Sequence, residues 1–474
     1  MAQKQGSDNR ERIKELSDVE CMLVRALAED LKLLGKQDES TLRWALSLAR
    51  VSSVVIAKNG KSQEVDIGHA TDAYRQDLAD RLLPLFKDPQ KINWAGVEEA
   101  IPFIFSLIKQ ERRELQELYR NKMPIEALDE AVRTRPLALA LGGGGGTSYI
   151  FLGALAELEE AGIRPDVLTG TSMGAILGAY RARDKELNLA NLRQIMSALT
   201  LGRLVQPLQQ GSRFGVPSTF RLLLREAFSS EFQREGCFLR LSDLAIPFRV
   251  AVAGIPHVEG EPEKNMDEYS HLLENDVVKA VQIKKQEKSI TRALLNLATQ
   301  PLVGIYLGSD ELTKEFDVLD AMGFSSAIPG IFHYDIFRED ERMIELISKM
   351  MHKYQVSRLV DGGFVDNLPA AEAKRAVQSG AVSKRDPFVL ALDGFAPNLQ
   401  RHWMFLPVMQ MASERSKEGR EVAQLTITYK KVLSPINIVP SLDELDRVIA
   451  HGREETKPHM PFIKKMLEPI PFPF

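Results

Sequence analysis

The stretch LALALGGGGG at Leu137–Gly146 and the stretch DVLTGTSMG at Asp166–Gly174 decide the fold. The first is an apolar run long enough for a buried strand, halted by a glycine cluster, and Tyr149 to Glu160 after it has the pattern of a helix. The second is another short apolar run, which leads through Gly170-Thr171-Ser172-Met173-Gly174 into the helical Ala175–Tyr180. Strand, glycine loop, helix and strand make one βαβ unit. Its strands are expected to be parallel and close in the sheet, so that both following loops open at the same carboxyl edge.

Working outward, further strands are expected over Phe248–Ala253, Leu302–Leu307, Arg358–Val360 and Phe388–Leu392, with helical stretches between most of them. That pattern predicts an α/β fold, a three-layer domain with a mainly parallel sheet over residues 135–474. Upstream of Arg135-Pro136 the texture is different. Helices are expected over Glu11–Leu34, from the Asp38–Thr41 cap signal through Val51, over Thr71–Phe86 and over Val97–Tyr119, with almost no β-rich run. Residues 1–134 therefore read as an α-helical N-terminal region. Residues 259–299 are charged, helical in pattern and long for a simple strand connection, so they read as a helical insertion, and Pro469–Phe474 reads as an extended tail.

Composition narrows the function classes. A formal net charge of −4 gives no global basic field, which argues against nucleic acid as a partner. The two cysteines, Cys21 and Cys237, lie too far apart in sequence to suggest a disulfide framework or a metal cluster, and no cofactor or metal is expected. The polar N-terminus precedes no apolar stretch of the Sec type, and runs such as Ile101–Ile108 are too short to span a bilayer. The expectation is a cytoplasmic protein, peripheral where it meets a membrane.

The chemistry sits in three segments. Gly170-Thr171-Ser172-Met173-Gly174 is a G-x-S-x-G between a strand and a helix, the context of a nucleophile elbow: Ser172 projects from a sharp turn, and Gly170 and Gly174 leave the turn room. Alone, such a pattern marks an ordinary glycine turn nearly as readily. The loop after the first strand exposes backbone amides, and Gly143, Gly144, Gly145 and Gly146 are the candidates to hold an oxyanion; no Lys-Ser or Lys-Thr pair follows, which argues against a nucleotide loop. Arg358-Leu359-Val360-Asp361-Gly362-Gly363-Phe364-Val365-Asp366-Asn367-Leu368-Pro369 places a carboxylate, Asp361, at the end of a strand. An aspartate near its usual pKa of about 3.9 is a weak base, but burial beside a serine raises it. Asp361 is the candidate base, with Gly362 and Gly363 as its supporting turn.

Together these segments resemble the patatin-like phospholipase family over about residues 136–440: the glycine triplet at Gly143–Gly145, the helix with Gly153-Ala154-Leu155, the elbow around Ser172, the segment Phe324–Gly330, and Asp361-Gly362-Gly363. The resemblance implies a Ser–Asp dyad, Ser172 as nucleophile and Asp361 as base, hydrolysing acyl esters of lipids or phospholipids, with a lipid or membrane surface as partner. One departure stands out. Many relatives carry Arg or Lys followed by Gly after the glycine triplet, and this chain has Thr147 and Ser148, which removes a cationic contact for phosphate. Two other readings compete. One is a Ser-His-Asp α/β-hydrolase for small esters in which His402, after Asp361 in the chain, completes a triad, with His333 and His352 also near the motifs. The other is a partner-regulated module with latent activity, the N-terminal helical region being the candidate surface for a protein partner.

Overall fold

A computed structural model describes residues 2–58, 61–208, 211–257, 301–395 and 412–474. The helical insertion expected at 259–299 lies outside the described residues. The chain forms two compact units: Met1–Leu137 with Val377–Phe388 and Pro458–Phe474, and Ala138–Ala376 with Val389–Lys457.

The second unit is built on a seven-stranded sheet. Its strands, in chain order, are β1 (Leu137–Leu141), β2 (Val167–Thr171), β3 (Phe248–Pro256), β4 (Val303–Leu307), β5 (Val356–Asp361), β6 (Phe388–Asp393) and β7 (Leu425–Thr428). The spatial order is β4-β3-β2-β1-β6-β7. β1, β2 and β6 are buried along their whole length, as the central strands of a parallel sheet covered on both faces must be. β1 and β2 pair in parallel, with Leu141 opposite Gly170, and β2 and β3 pair in parallel, with Thr171 opposite Ala251. The helix Phe151–Glu160 makes the expected crossover between β1 and β2.

Two strands of this mainly parallel sheet run the other way. β5 is antiparallel to β3, with Asp361 opposite Val252. β4 also pairs antiparallel with β3 and occupies its other edge over Val250–Gly254, so β5 continues on the edge that β2 takes farther back. The carboxyl ends of β2 and β5 thus arrive at Ala251 and Val252, neighbours on β3, from opposite directions. A smaller sheet orders Gly330–His333, Ser218–Leu222 and Val205–Pro207, with Phe332 opposite Phe220.

The first unit is mainly helical, with helices at Ala2–Glu29, Lys36–Arg50, Asp72–Leu82, Trp94–Tyr119 and Ile125–Arg133. Their apolar stripes close on one core that includes Leu23, Leu42, Trp44, Leu48, Leu78, Ile104 and Leu128. Two features depart from the sequence reading. An antiparallel hairpin, Ser53–Lys58 with Lys61–Asp66, interrupts the helices. Its Val54-Val55-Ile56 run is β-branched and burial is alternate, Val54 and Val65 facing the core. The tail is not a bare extension either: Ile470 is buried in this core, and the Phe472 ring meets Trp44 edge-on at 4.9 Å.

Candidate active site

Ser172 follows β2 and caps the helix Met173–Arg183, with φ 53° and ψ −123°. A positive φ in a serine costs of order 1–3 kcal/mol, and here the surroundings enforce it. A Cβ on Gly170 would lie 2.5 Å from Gly174 O, and one on Gly174 would lie 2.4 Å from Leu141 O, so larger residues at either position would push the turn open. The Ser172 N–H donates to Ser325 Oγ at 2.9 Å, and the Ser325 hydroxyl donates to Ala251 O at 2.7 Å. Ser325 is fully buried and fastens the strained residue to β3, the strand beside it.

Asp361 ends β5 and is 4% exposed. Its Oδ1 accepts the Gly363 N–H at 2.7 Å, while Oδ2 has no hydrogen-bond partner of ordinary geometry among the described residues. Burial pushes its pKa up to about 7; the Gly363 N–H and the Ser172 hydroxyl both favour the charged form but only in part offset the lost hydration. Gly362 packs so tightly that a Cβ there would stand 2.2 Å from Ala251 O. The segment after Asp361 is tied to the elbow strand, since Thr169 Oγ1 donates to Pro369 O and Thr171 Oγ1 to Asp366 O, each at 2.8 Å.

The glycine loop abuts the elbow: a Cβ on Gly143 would lie 3.3 Å from Ser172 Cβ. Its amides are not equivalent. The Gly142 N–H donates to Leu392 O at 3.0 Å, the Gly143 N–H to Asn367 O at 3.0 Å and the Gly146 N–H to Pro435 O at 2.9 Å. Gly143 and Gly146 therefore have their donors engaged within the protein. Gly144 and Gly145 have amides without an acceptor among the described residues, and both line the cavity that holds Ser172 and Asp361. Gly145 has φ +56° and faces Pro435 O, a position that only glycine fills without strain. Thr147 and Ser148 are buried and brace the loop: Thr147 Oγ1 donates to Gly144 O at 2.9 Å and Ser148 Oγ to Gly142 O at 3.3 Å.

The cavity has a volume of about 330 Å³. Its inner wall is apolar, with Ile328, Ile331, Phe332, Phe364, Phe395 and Ile438, and Asn367 adds a polar group. Leu201, Phe220 and Ile436 stand at its rim. Of the histidines weighed from sequence, His333 is fully buried outside this wall, its Nδ1 2.9 Å from Val216 O, and burial lowers its pKa. His352 is exposed on the helix Glu341–Tyr354. His402 lies outside the described residues. Sequence reasoning missed Ser325 and Asn367 as supports, although both fall in segments it singled out; a buried serine is the only signal Ser325 offers, and burial is not visible in the sequence.

Among the described residues no helix is long and apolar enough to cross a membrane, and no cluster of His, Cys, Asp or Glu is placed to hold a metal ion.

Comparison with known proteins bears on this arrangement. Residues 139–374 match the family model Patatin-like phospholipase. Among curated proteins, the chain is similar to lysophospholipase NTE1 of Coccidioides immitis (26% identity over 193 residues, 36% of this chain and 12% of that protein). It is also similar to lysophospholipase NTE1 of Saccharomyces cerevisiae (33% over 85 residues, 18% and 5%) and lysophospholipase nte1 of Aspergillus niger (47% over 53 residues, 11% and 4%). The similarity thus covers only a small part of the length of these relatives. The matched span contains the glycine loop, the elbow and the strand ending in Asp361, and on that match residues 139–374 are a patatin-like phospholipase domain.

Proposed function

We propose that this chain hydrolyses the acyl ester of a lipid, with a lysophospholipid as the favoured substrate. The observation that carries the reading is the convergence on one apolar cavity of an elbow serine, a buried carboxylate with an unpartnered oxygen, and two unengaged glycine amides. Ser172 Oγ attacks the ester carbonyl carbon as its proton passes to Asp361, and the carbonyl oxygen, now an oxyanion, is held by the Gly144 and Gly145 N–H groups. Collapse of the tetrahedral intermediate breaks the ester C–O bond, and Asp361 returns the proton to the departing alcohol. Water then adds to the acyl-enzyme by the same route, giving the free fatty acid and restoring Ser172. A pKa near 7 suits Asp361 to this exchange, because a base close to the working pH both accepts and releases a proton.

The cavity volume of about 330 Å³ lies at the low end for ligand pockets, with room for one acyl chain against Ile328, Ile331 and Phe364. The relatives' name, lysophospholipase, agrees with a one-chain substrate. The test is release of fatty acid from lysophosphatidylcholine. Wild type is expected to release it, and Ser172→Ala and Asp361→Asn each to lower kcat/KM by roughly a thousandfold or more, with the double variant hardly worse than either. Near-wild-type turnover by Ser172→Ala would remove the assignment.

A further inference from the structure

The second unit exposes three large apolar side chains among its described residues, Leu201, Phe220 and Ile436, at 56%, 39% and 64%. All three border the cavity that holds Ser172. They come from separate parts of the chain: the short helix Leu201–Leu204, the strand Ser218–Leu222, and the segment by Pro435 on which the glycine loop rests. Scattered exposed apolar residues are ordinary on a protein surface, but their gathering on a single rim, continuous with an apolar interior, marks a surface that meets something apolar.

We propose that this rim docks the catalytic unit onto a lipid bilayer, with Leu201, Phe220 and Ile436 entering the acyl region around the cavity mouth. The inference rests on the acyl-hydrolase reading and adds how the substrate arrives. A long acyl chain that crossed water on its way to Ser172 would expose every methylene, whereas a mouth pressed into the bilayer passes the chain from one apolar phase to another. The bilayer is favoured over a protein partner by the cavity itself, because a folded protein covering the rim would close the entrance that the substrate needs.

The experiment has two arms. In the first, Ser172→Ala protein, which cannot turn over, is floated with phosphatidylcholine vesicles, with and without the added changes Leu201→Ser, Phe220→Ser and Ile436→Ser. The rim changes are expected to lower the vesicle-bound fraction by about tenfold or more, since they remove the apolar area that inserts. In the second, on the active protein, turnover of lysophosphatidylcholine carried in those vesicles is compared with turnover of a short-chain nitrophenyl ester kept monomeric. The ratio of vesicle to monomer turnover is expected to fall by about tenfold or more in the rim variant. Equal flotation of the two proteins, or an equal loss on both substrates, would overturn the proposal. Absence of hydrolysis of either ester by the wild type would instead remove the acyl-hydrolase reading, and flotation would still decide the docking surface. Should the triple variant melt below the wild type, Ile436→Ser alone, the most exposed of the three positions, carries the same comparison with a smaller expected loss.

Discussion

Asp361 is the residue at which stability and activity pull apart. Its carboxyl is held near pKa 7 by burial, well above the ordinary 3.8. In the proposed mechanism Asp361 acts as base only when ionised, so kcat/KM is expected to fall about tenfold per pH unit below about 7 and to level off above it. Stability runs the other way. The folded protein holds the Asp361 proton more tightly than the unfolded chain does, so the favourable term is fully present below 3.8 and is lost as pH rises to about 7. Above that, the fold carries a buried charge at a cost on the order of a few kcal/mol. Asp361→Asn is therefore expected to be inactive yet more stable than the wild type at pH 8, and no more stable near pH 4. Urea melts at the two pH values check this; a variant less stable at pH 8 would show that the ionised carboxylate is better solvated than its burial implies. Asp366, also raised, to about 6, contributes in the same direction to both proteins and drops out of their difference. The placement of Ser172 and Asp361 at strand-end turns was legible from glycine spacing, because a turn that presents a side chain has to be built from small residues. Which glycine amides are engaged within the protein was not, since it depends on which carbonyls, Asn367 O and Pro435 O, come to meet them.

At the scale of elements, the glycine loop depends on a helix far from it in sequence. The helix Leu442–Thr456 packs on Phe151–Glu160 at backbone contact: a Cβ on Gly153 would lie 2.3 Å from Ile449 O, and one on Gly452 would lie 2.1 Å from Ile150 O. The segment just before that helix supplies Pro435 O to the Gly146 N–H and Ile438 O to the Tyr149 hydroxyl, so helix and loop are set together. Replacing glycine by alanine in an open helix favours the fold by about 1 kcal/mol. Here the obstacle is backbone that cannot turn aside, and Gly452→Ala is expected to destabilise by about 1–3 kcal/mol and to lower ester turnover with it. A rise in Tm would show that the helices part without cost. Strand β1 was legible because a buried parallel strand is an unbroken apolar run, and β2 because it leads into the G-x-S-x-G turn. The direction of β5 was not, because a strand's pattern records which faces are buried and not which way the chain runs. The hairpin is a different case. Val54-Val55-Ile56 followed by Asn59-Gly60 is a strong hairpin sequence, passed over because helical periodicity surrounds it.

At the scale of the whole chain, the first unit is assembled from three separated segments, and the sequence reading, which took residues 1–134 as one helical region, had no local signal for the other two. Residues 458–474 contribute the helix Met460–Leu467, whose Phe462, Ile463 and Met466 are buried, and Ile470 after it. They also supply partners to Arg43. Its guanidinium, 2% exposed, donates to Glu468 Oε1 at 2.6 Å and to Lys465 O. A chain ending at Lys457 would lose roughly 1.5–3 kcal/mol for each of these apolar side chains and leave a cation buried among apolar neighbours without those partners. That sum is comparable to the whole stability of an ordinary domain, about 5–15 kcal/mol, so the first unit is expected to lose its cooperative fold on truncation. Limited proteolysis checks it directly: sites within residues 2–137 should be cut far faster in the truncated chain than in the full one, as the buried helices open. Addition of a separate peptide of residues 458–474 should slow that cleavage, because the peptide restores the burial and the Arg43 contacts at the cost of a bimolecular association. If the truncated chain instead resisted protease as well as the full one, the helices of residues 2–137 would hold their core unaided, and the late segment would be an attachment to the unit without being part of what folds it.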